Sequence, residues 1–164
     1  MNNLSEAVGK LNLGRLRDWY DAAELNLLLE AQAPDETMYW KVTATEEWEE
    51  LASTAQIADI LHLVSQEGDT FNFEGEEPIN KYAQGLRLAD GNFSLELAIV
   101  DSHAYNMRIA YGPNADSASS APDDDVEPNG PQSLSLAQVH EVLTGWVLGR
   151  GLPDGYGGSI HIYR

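Results

Sequence analysis

A chain of 164 residues with 9 basic and 27 acidic side chains has a net charge of −18 and no cysteine, which excludes disulfides, thiolate metal sites and cysteine nucleophiles. A hydrophobic content of 43% makes it one globular domain with a real core, not a solvated acidic tail. A pI near 4.2 disfavours nucleic acid and anionic membrane as direct ligands, because both require lysine and arginine.

The first predicted element, from Ser5 to about Glu24, is helical in its second half: Leu13, Leu16, Tyr20 and Ala23 fall on one stripe, which Trp19 joins. Leu25, Leu27 and Leu29 then alternate with polar residues. Beyond Pro34-Asp35-Glu36, Met38, Trp40 and Val42 do the same. The two runs predict a β-hairpin, unless the leucines extend the preceding helix.

The next segment holds most of the charge. Between Val42 and Asn80 there are ten acidic residues and no lysine or arginine. Thr43 with Glu46, and Ser53 with Gln56, have capping-box spacing. Either one helix runs from about 46 to 66, or a short strand or turn near Trp48 precedes a helix from 54 to 66. In both cases Ile57, Ile60, Leu61 and Val64 form the core stripe, and Gly68 is the expected stop.

From Thr70 to Tyr111 the apolar period changes to two. Phe71 and Phe73 alternate with polar residues, Leu86 and Leu88 lead into the turn Asp90-Gly91, and Phe93, Leu95, Leu97 and Ile99 follow. After His103 come Tyr105, Met107, Ile109 and Tyr111. This predicts an antiparallel meander of three or four strands. Residues 114–131, rich in Ala, Ser, Asp and Pro, read as a long flexible acidic loop. Ser135 and Gln138 then open a helix striped by Leu136, Val139, Val142, Leu143, Trp146 and Val147. Gly149 or Gly151 ends it before Pro153, and Ser159–Tyr163 closes the chain as a strand with His161 on its outward side. The fold class expected is α+β: a largely antiparallel sheet carrying two or three helices, in one domain over 1–164.

Little in the sequence points to catalysis. Asp101 and His103 sit two apart, but no further metal ligands lie nearby. His62 is expected at the edge of the core, and His140 and Glu141 point to different faces. Asp125 to Gly130 echoes the start of a calcium loop, yet the twelfth position is Leu136 where a bidentate glutamate is needed. Gly149-Arg150-Gly151 lacks the spacing of a phosphate cradle, and nucleophile-elbow, zincin and Walker sequences are absent. No cofactor or metal is expected. A small metal-dependent enzyme using Asp101, His103 or His140 is the reading this would have to support.

Charge is the stronger signal. Three groups carry it: Glu46, Glu47, Glu49 and Glu50; Glu74, Glu76 and Glu77; and Asp123, Asp124 and Asp125. Surfaces of one sign attract the opposite one, so the partner expected is a protein with a basic surface, such as a groove built to hold nucleic acid. Salt adaptation is the competing explanation of so acidic a chain. Met1 to Glu6 shows no basic stretch leading into an apolar one, and no apolar run nears the roughly 18 residues that span a membrane, so a cytoplasmic protein is expected.

The closing run Ser135-Leu-Ala-Gln-Val-His-Glu-Val-Leu-Thr-Gly-Trp-Val-Leu-Gly-Arg-Gly-Leu-Pro153, with the strand after it, resembles the end of an immunity-protein family of bacterial polymorphic toxin systems. It is the first-numbered family of that classification, whose members often sit beside deaminase toxins. The order of elements from about 45 to 164 is similar too, while the first forty residues exceed what that pattern needs. The resemblance implies a non-enzymatic inhibitor that covers the active site of a cognate toxin, and it carries no residue roles over. An acidic nucleic-acid mimic of phage type, inhibiting a nuclease, is the alternative within the same interaction class. Oligomeric state is left open.

Overall fold

The computed structural model describes residues 4–13, 19–30, 37–111 and 133–163. In chain order these form α1 (Leu4–Leu11), β1 (Tyr20–Asp21), α2 (Ala22–Leu29), β2 (Tyr39–Val42), β3 (Glu49–Glu50), α3 (Gln56–His62), β4 (Thr70–Glu74), β5 (Lys81–Arg87), β6 (Phe93–Val100), β7 (Ala104–Tyr111), α4 (Leu136–Val147) and β8 (Tyr156–Tyr163). The strands make one antiparallel sheet in the order β1-β8-β7-β6-β5-β4-β2-β3. Helices and sheet together make an α+β fold.

The meander forms as its period-two pattern dictates. Phe73, Ala83, Leu97, Met107 and Ile160 are successive cross-strand partners, and all are at most 3% exposed. They face a core shared with Leu25 and Leu28 of α2, Ile57, Ile60 and Leu61 of α3, and Val139, Val142 and Leu143 of α4. Burying each of these aliphatic side chains contributes about 1.5–3 kcal/mol. Phe71 anchors this layer edge-on to Phe73 and Phe93, with ring centroids 6.2 and 6.0 Å away.

The opposite face carries the alternate residues and, among the described residues, no helix. Leu86 of the run Leu86–Leu88 lies on that face, because Gly85 occupies the core position beneath the Phe71 ring. A Cβ at Gly85 would overlap both that ring and the Ser94 carbonyl oxygen.

The N-terminal third departs from the helix expected in the second half of Ser5–Glu24: α1 occupies the first part of that stretch, and Tyr20–Asp21 is a strand. Asn12 takes a left-handed φ of 54° and ends α1. Tyr20 lies in β1 opposite Gly158, and Asp21 starts a second helix with a reciprocal cap: the Glu24 amide donates to Asp21 Oδ1 at 2.9 Å, and the Asp21 amide donates to Glu24 Oε1 at 3.0 Å. The leucines 25–29 therefore form α2, and β2 pairs with β3 and β4 in place of the expected hairpin. Asn26 ties α2 to the exit of α4, accepting from the Leu152 amide at 2.6 Å and donating to its carbonyl at 3.1 Å.

In the acidic segment the strand-then-helix alternative is the one observed. Residues after Val42 turn back as β3, and α3 is shorter than expected, with Leu63 as its C-cap, so Gly68 lies beyond its end. Ser53 does not cap it. Ala55 holds the N-cap position, and Gln56 Oε1 accepts from the Ala52 amide at 2.8 Å. Ile57, Ile60, Leu61 and Val64 are core as expected, whereas His62 is exposed. Ser135 and Gln138 form the capping box of α4. Residues 114–131 lie outside the described residues.

Packing at Gly85 gives a direct check. Gly85→Ala is expected to cost about 1–3 kcal/mol, because a backbone oxygen must move to admit the methyl group. Gly9→Ala, in α1 with nothing within 4 Å of the new Cβ, is expected to add about 0.5–1 kcal/mol. Urea denaturation midpoints of the two variants should therefore move in opposite directions.

Candidate functional site

Sheet pairing brings two of the three acidic groups together. β3 and β4 flank β2, so Glu50 and Glu74 stand opposite Tyr39 from either side. The β4–β5 turn then places Glu76 within reach of the Tyr39 hydroxyl, which donates to Glu76 Oε2 at 3.2 Å. Tyr39, Trp48, Glu74, Gly75, Glu76, Glu77 and Ile79 line an open hollow of about 550 Å³. Trp48 is 41% exposed on its rim. Glu46 and Glu47 sit in the turn before Trp48, exposed, and Glu49 is exposed on β3. Asp123, Asp124 and Asp125 lie outside the described residues.

The hollow has an electrostatic signature. Partial burial, and then the charge of Glu77, push the Glu74 carboxyl above its ordinary pKa. The Tyr39 phenol is likewise raised, by burial first and then by its hydrogen bond to Glu76 and the charges of Glu76 and Glu50. In both groups the charge of neighbouring carboxylates adds to the larger effect of burial. An ion pair lies elsewhere, on the face of the sheet away from the described helices.

That pair is Glu96 with Arg108, directly opposite one another on β6 and β7. Arg108 Nε donates to Glu96 Oε2 at 2.8 Å, and the side chains are 23% and 19% exposed. Glu96 Oε1 accepts from Gln84 Nε2 at 3.1 Å and from Asn106 Nδ2 at 3.0 Å, while Asn106 Oδ1 accepts from the Tyr82 hydroxyl at 3.1 Å. Burial alone would raise the Glu96 pKa. The bonds from Asn106, Gln84 and Arg108, with the Arg108 charge, outweigh it and hold the carboxyl below its usual value. Beside this network Asn72, Gln84, Leu86, Ser94 and Glu96 line a dish of about 260 Å³.

The carboxylates of the hollow are legible in the sequence, whereas its aromatic members and this network are not. Glu96 and Arg108 each occupy the polar position of an apolar alternation, which marks them as outward-facing. Their pairing is a matter of register, and register is not written in either strand alone.

The histidines do not assemble a reactive centre. His103 sits in a hairpin turn, where its amide donates to Asp101 Oδ1 at 2.9 Å. His140 Nε2 approaches the Thr54 carbonyl at 3.3 Å, and Glu141 accepts from the Tyr156 hydroxyl. His161 is on the outer side of β8, with Nε2 3.0 Å from Ser159 Oγ. Among the described residues no three His, Asp or Glu side chains are grouped to hold a metal ion. Gly149 and Gly151 adopt positive φ at the exit of α4 and serve as its termination. Among the described residues no helix is long and apolar enough to cross a membrane.

Acid stability should report on Glu96. A carboxyl held below its unfolded pKa contributes stability that is fully present above the unfolded value, near 4.3, and is lost as pH falls through the folded value. Glu96→Gln is expected to cost about 1.5–3 kcal/mol at pH 7, since it removes charge-assisted bonds and strands a partly buried guanidinium. The gap between the two proteins should close as pH falls below about 4, read from denaturation midpoints across pH.

Comparison with protein-family models, curated proteins and solved structures gives no match for this chain.

Proposed function

We propose that the chain is a non-enzymatic inhibitor that binds a basic protein: an immunity protein neutralising a bacterial toxin that acts on nucleic acid. The observation that carries this reading is a hollow lined by Glu74, Glu76 and Glu77 with Tyr39 and the exposed Trp48, beside which Glu50, distant in sequence, stands opposite Tyr39. An enzyme that grips phosphates needs a basic cleft, and a carboxylate-lined hollow with an aromatic rim complements one. Long-range attraction from a charge of −18 would speed encounter, and that contribution weakens with salt. Affinity would come from anchors such as Trp48 and from carboxylates desolvated in the contact. The resemblance of the closing helix, its glycine exit and the last strand to an immunity family supports the same assignment.

The test is a pull-down of the neighbouring reading frame's product, followed by binding kinetics. Trp48→Ala is expected to weaken the complex by about 2 kcal/mol, or roughly 30-fold, mainly through faster dissociation. Combined reversal of Glu74, Glu76 and Glu77 to lysine should slow association and flatten its salt dependence. Absence of any complex with that product overturns the assignment. A complex indifferent to the charge reversals overturns its electrostatic basis.

A further inference from the structure

The face of the sheet away from the helices presents a regular chemical pattern beyond its carboxylates. Cross-strand register sets Glu50 opposite Tyr39, Tyr39 opposite Glu74, and Glu74 opposite Tyr82. Four adjacent strands thus carry carboxylate, phenol, carboxylate, phenol in a line across one face. Adjacent strands lie about 4.8 Å apart, so the two carboxylates stand roughly 10 Å from each other with a ring between them.

The rings are held and the carboxylates are not. The Tyr39 hydroxyl is committed to Glu76, and the Tyr82 hydroxyl to Asn106, itself bound to the Glu96 network. No described residue donates a hydrogen bond to Glu50 or Glu74. The face has two described cations. Arg108 is engaged by Glu96, and Lys41 lies one row along, opposite Asn72.

We propose that this helix-free face is a docking surface for arginine side chains of a basic protein partner, with Glu50, Tyr39, Glu74 and Tyr82 as the contact line. The inference rests on the binding reading above and narrows it to one surface and one side-chain chemistry. Charge complementarity selects a cationic partner. The alternation of ring and carboxylate selects arginine over lysine, because a planar guanidinium stacks on a phenol face while its N–H groups reach a carboxylate in the same plane. An ammonium is more strongly hydrated and has no plane to stack. Acidic residues such as Glu6 on α1 and Asp59 on α3 face solvent away from this line and serve as internal controls.

The experiment titrates the ¹⁵N-labelled full chain at low ionic strength with acetyl-Gly-Arg-Gly-Arg-Gly-amide, and separately with its lysine counterpart. Amide shifts should concentrate at Tyr39, Glu50, Glu74 and Tyr82, with the arginine peptide about fivefold tighter. Tyr39→Leu is expected to bring the arginine peptide down to the lysine level. Glu50→Gln, at an exposed position, should weaken both peptides without disturbing the dispersion of the spectrum, which guards against an unfolded variant. Shifts of equal size around Glu6 and Asp59, or equal affinity for the two peptides, overturn the proposal.

The two readings can fail separately. If the neighbouring frame's product does not bind while the peptide footprint falls on this line, the surface stands and the toxin assignment falls. If that product binds Glu50→Gln and Glu74→Gln variants as tightly as the parent chain, the surface is wrong and the assignment stands.

Discussion

The pairing register of β5, β6 and β7 decides everything else in this protein. Side chains alternate between faces with period two, so a slip of one residue would move Leu95, Leu97, Met107 and Ile109 into solvent and Glu96 and Arg108 into the core. The direct opposition of Glu96 and Arg108 is the feature that penalises such a slip most, because separating them under the helices would bury two unpaired charges. The apolar layer favours the observed register, and the polar layer excludes its neighbours. The same pairing that seats the helices therefore draws the pattern on the opposite face.

The charge of −18 is tolerable because the fold spreads it out. The acidic segment, continuous in sequence, is divided by α3, whose Ile57, Ile60 and Leu61 are core and whose burial offsets repulsion at the ends. Its two ends return to the same edge of the sheet through β3 and β4, which concentrates the charge locally. An edge strand exposes unpaired backbone, and carboxylates along it discourage a second copy from adding there. The glutamates of β3 fit that protective role, and under the proposed function the hollow lined by Glu74, Glu76 and Glu77 serves recognition. The roles are compatible, since the strand that repels another acidic edge attracts a basic surface.

Much of the architecture was legible because its signals are local and strong. The meander, the stripe of α3 and the capping box of α4 each follow from spacing within a few residues. The N-terminal third misled because Leu13, Tyr20 and Ala23 keep helical spacing across what is in fact a break. Left-handed Asn12 and the Asp21/Glu24 cap override that periodicity, and the cap itself was readable as Asp-x-x-Glu. Leu86 shows a different limit. An apolar residue in a strand reads as core, but here the volume of the Phe71 ring reserves the core position for Gly85 and turns Leu86 outward.

The site was half legible for the same reason. Composition and charge runs identify which carboxylates are unaccompanied by cations, and sequence alone carries that far. What makes them a surface is non-local: Tyr39 lies between Glu50 and Glu74 only because β2 pairs on both sides. Net charge governs how fast a partner arrives, since it acts over the Debye length and is blind to detail. How long the partner stays depends on rings and carboxylates held at fixed separation. On the proposed line that separation is set by strand spacing, and the Tyr82 ring at its end is tied through Asn106 to the Glu96 network. On this proposal, a chain with the same composition and a different register would keep the charge and lose the alternation of ring and carboxylate.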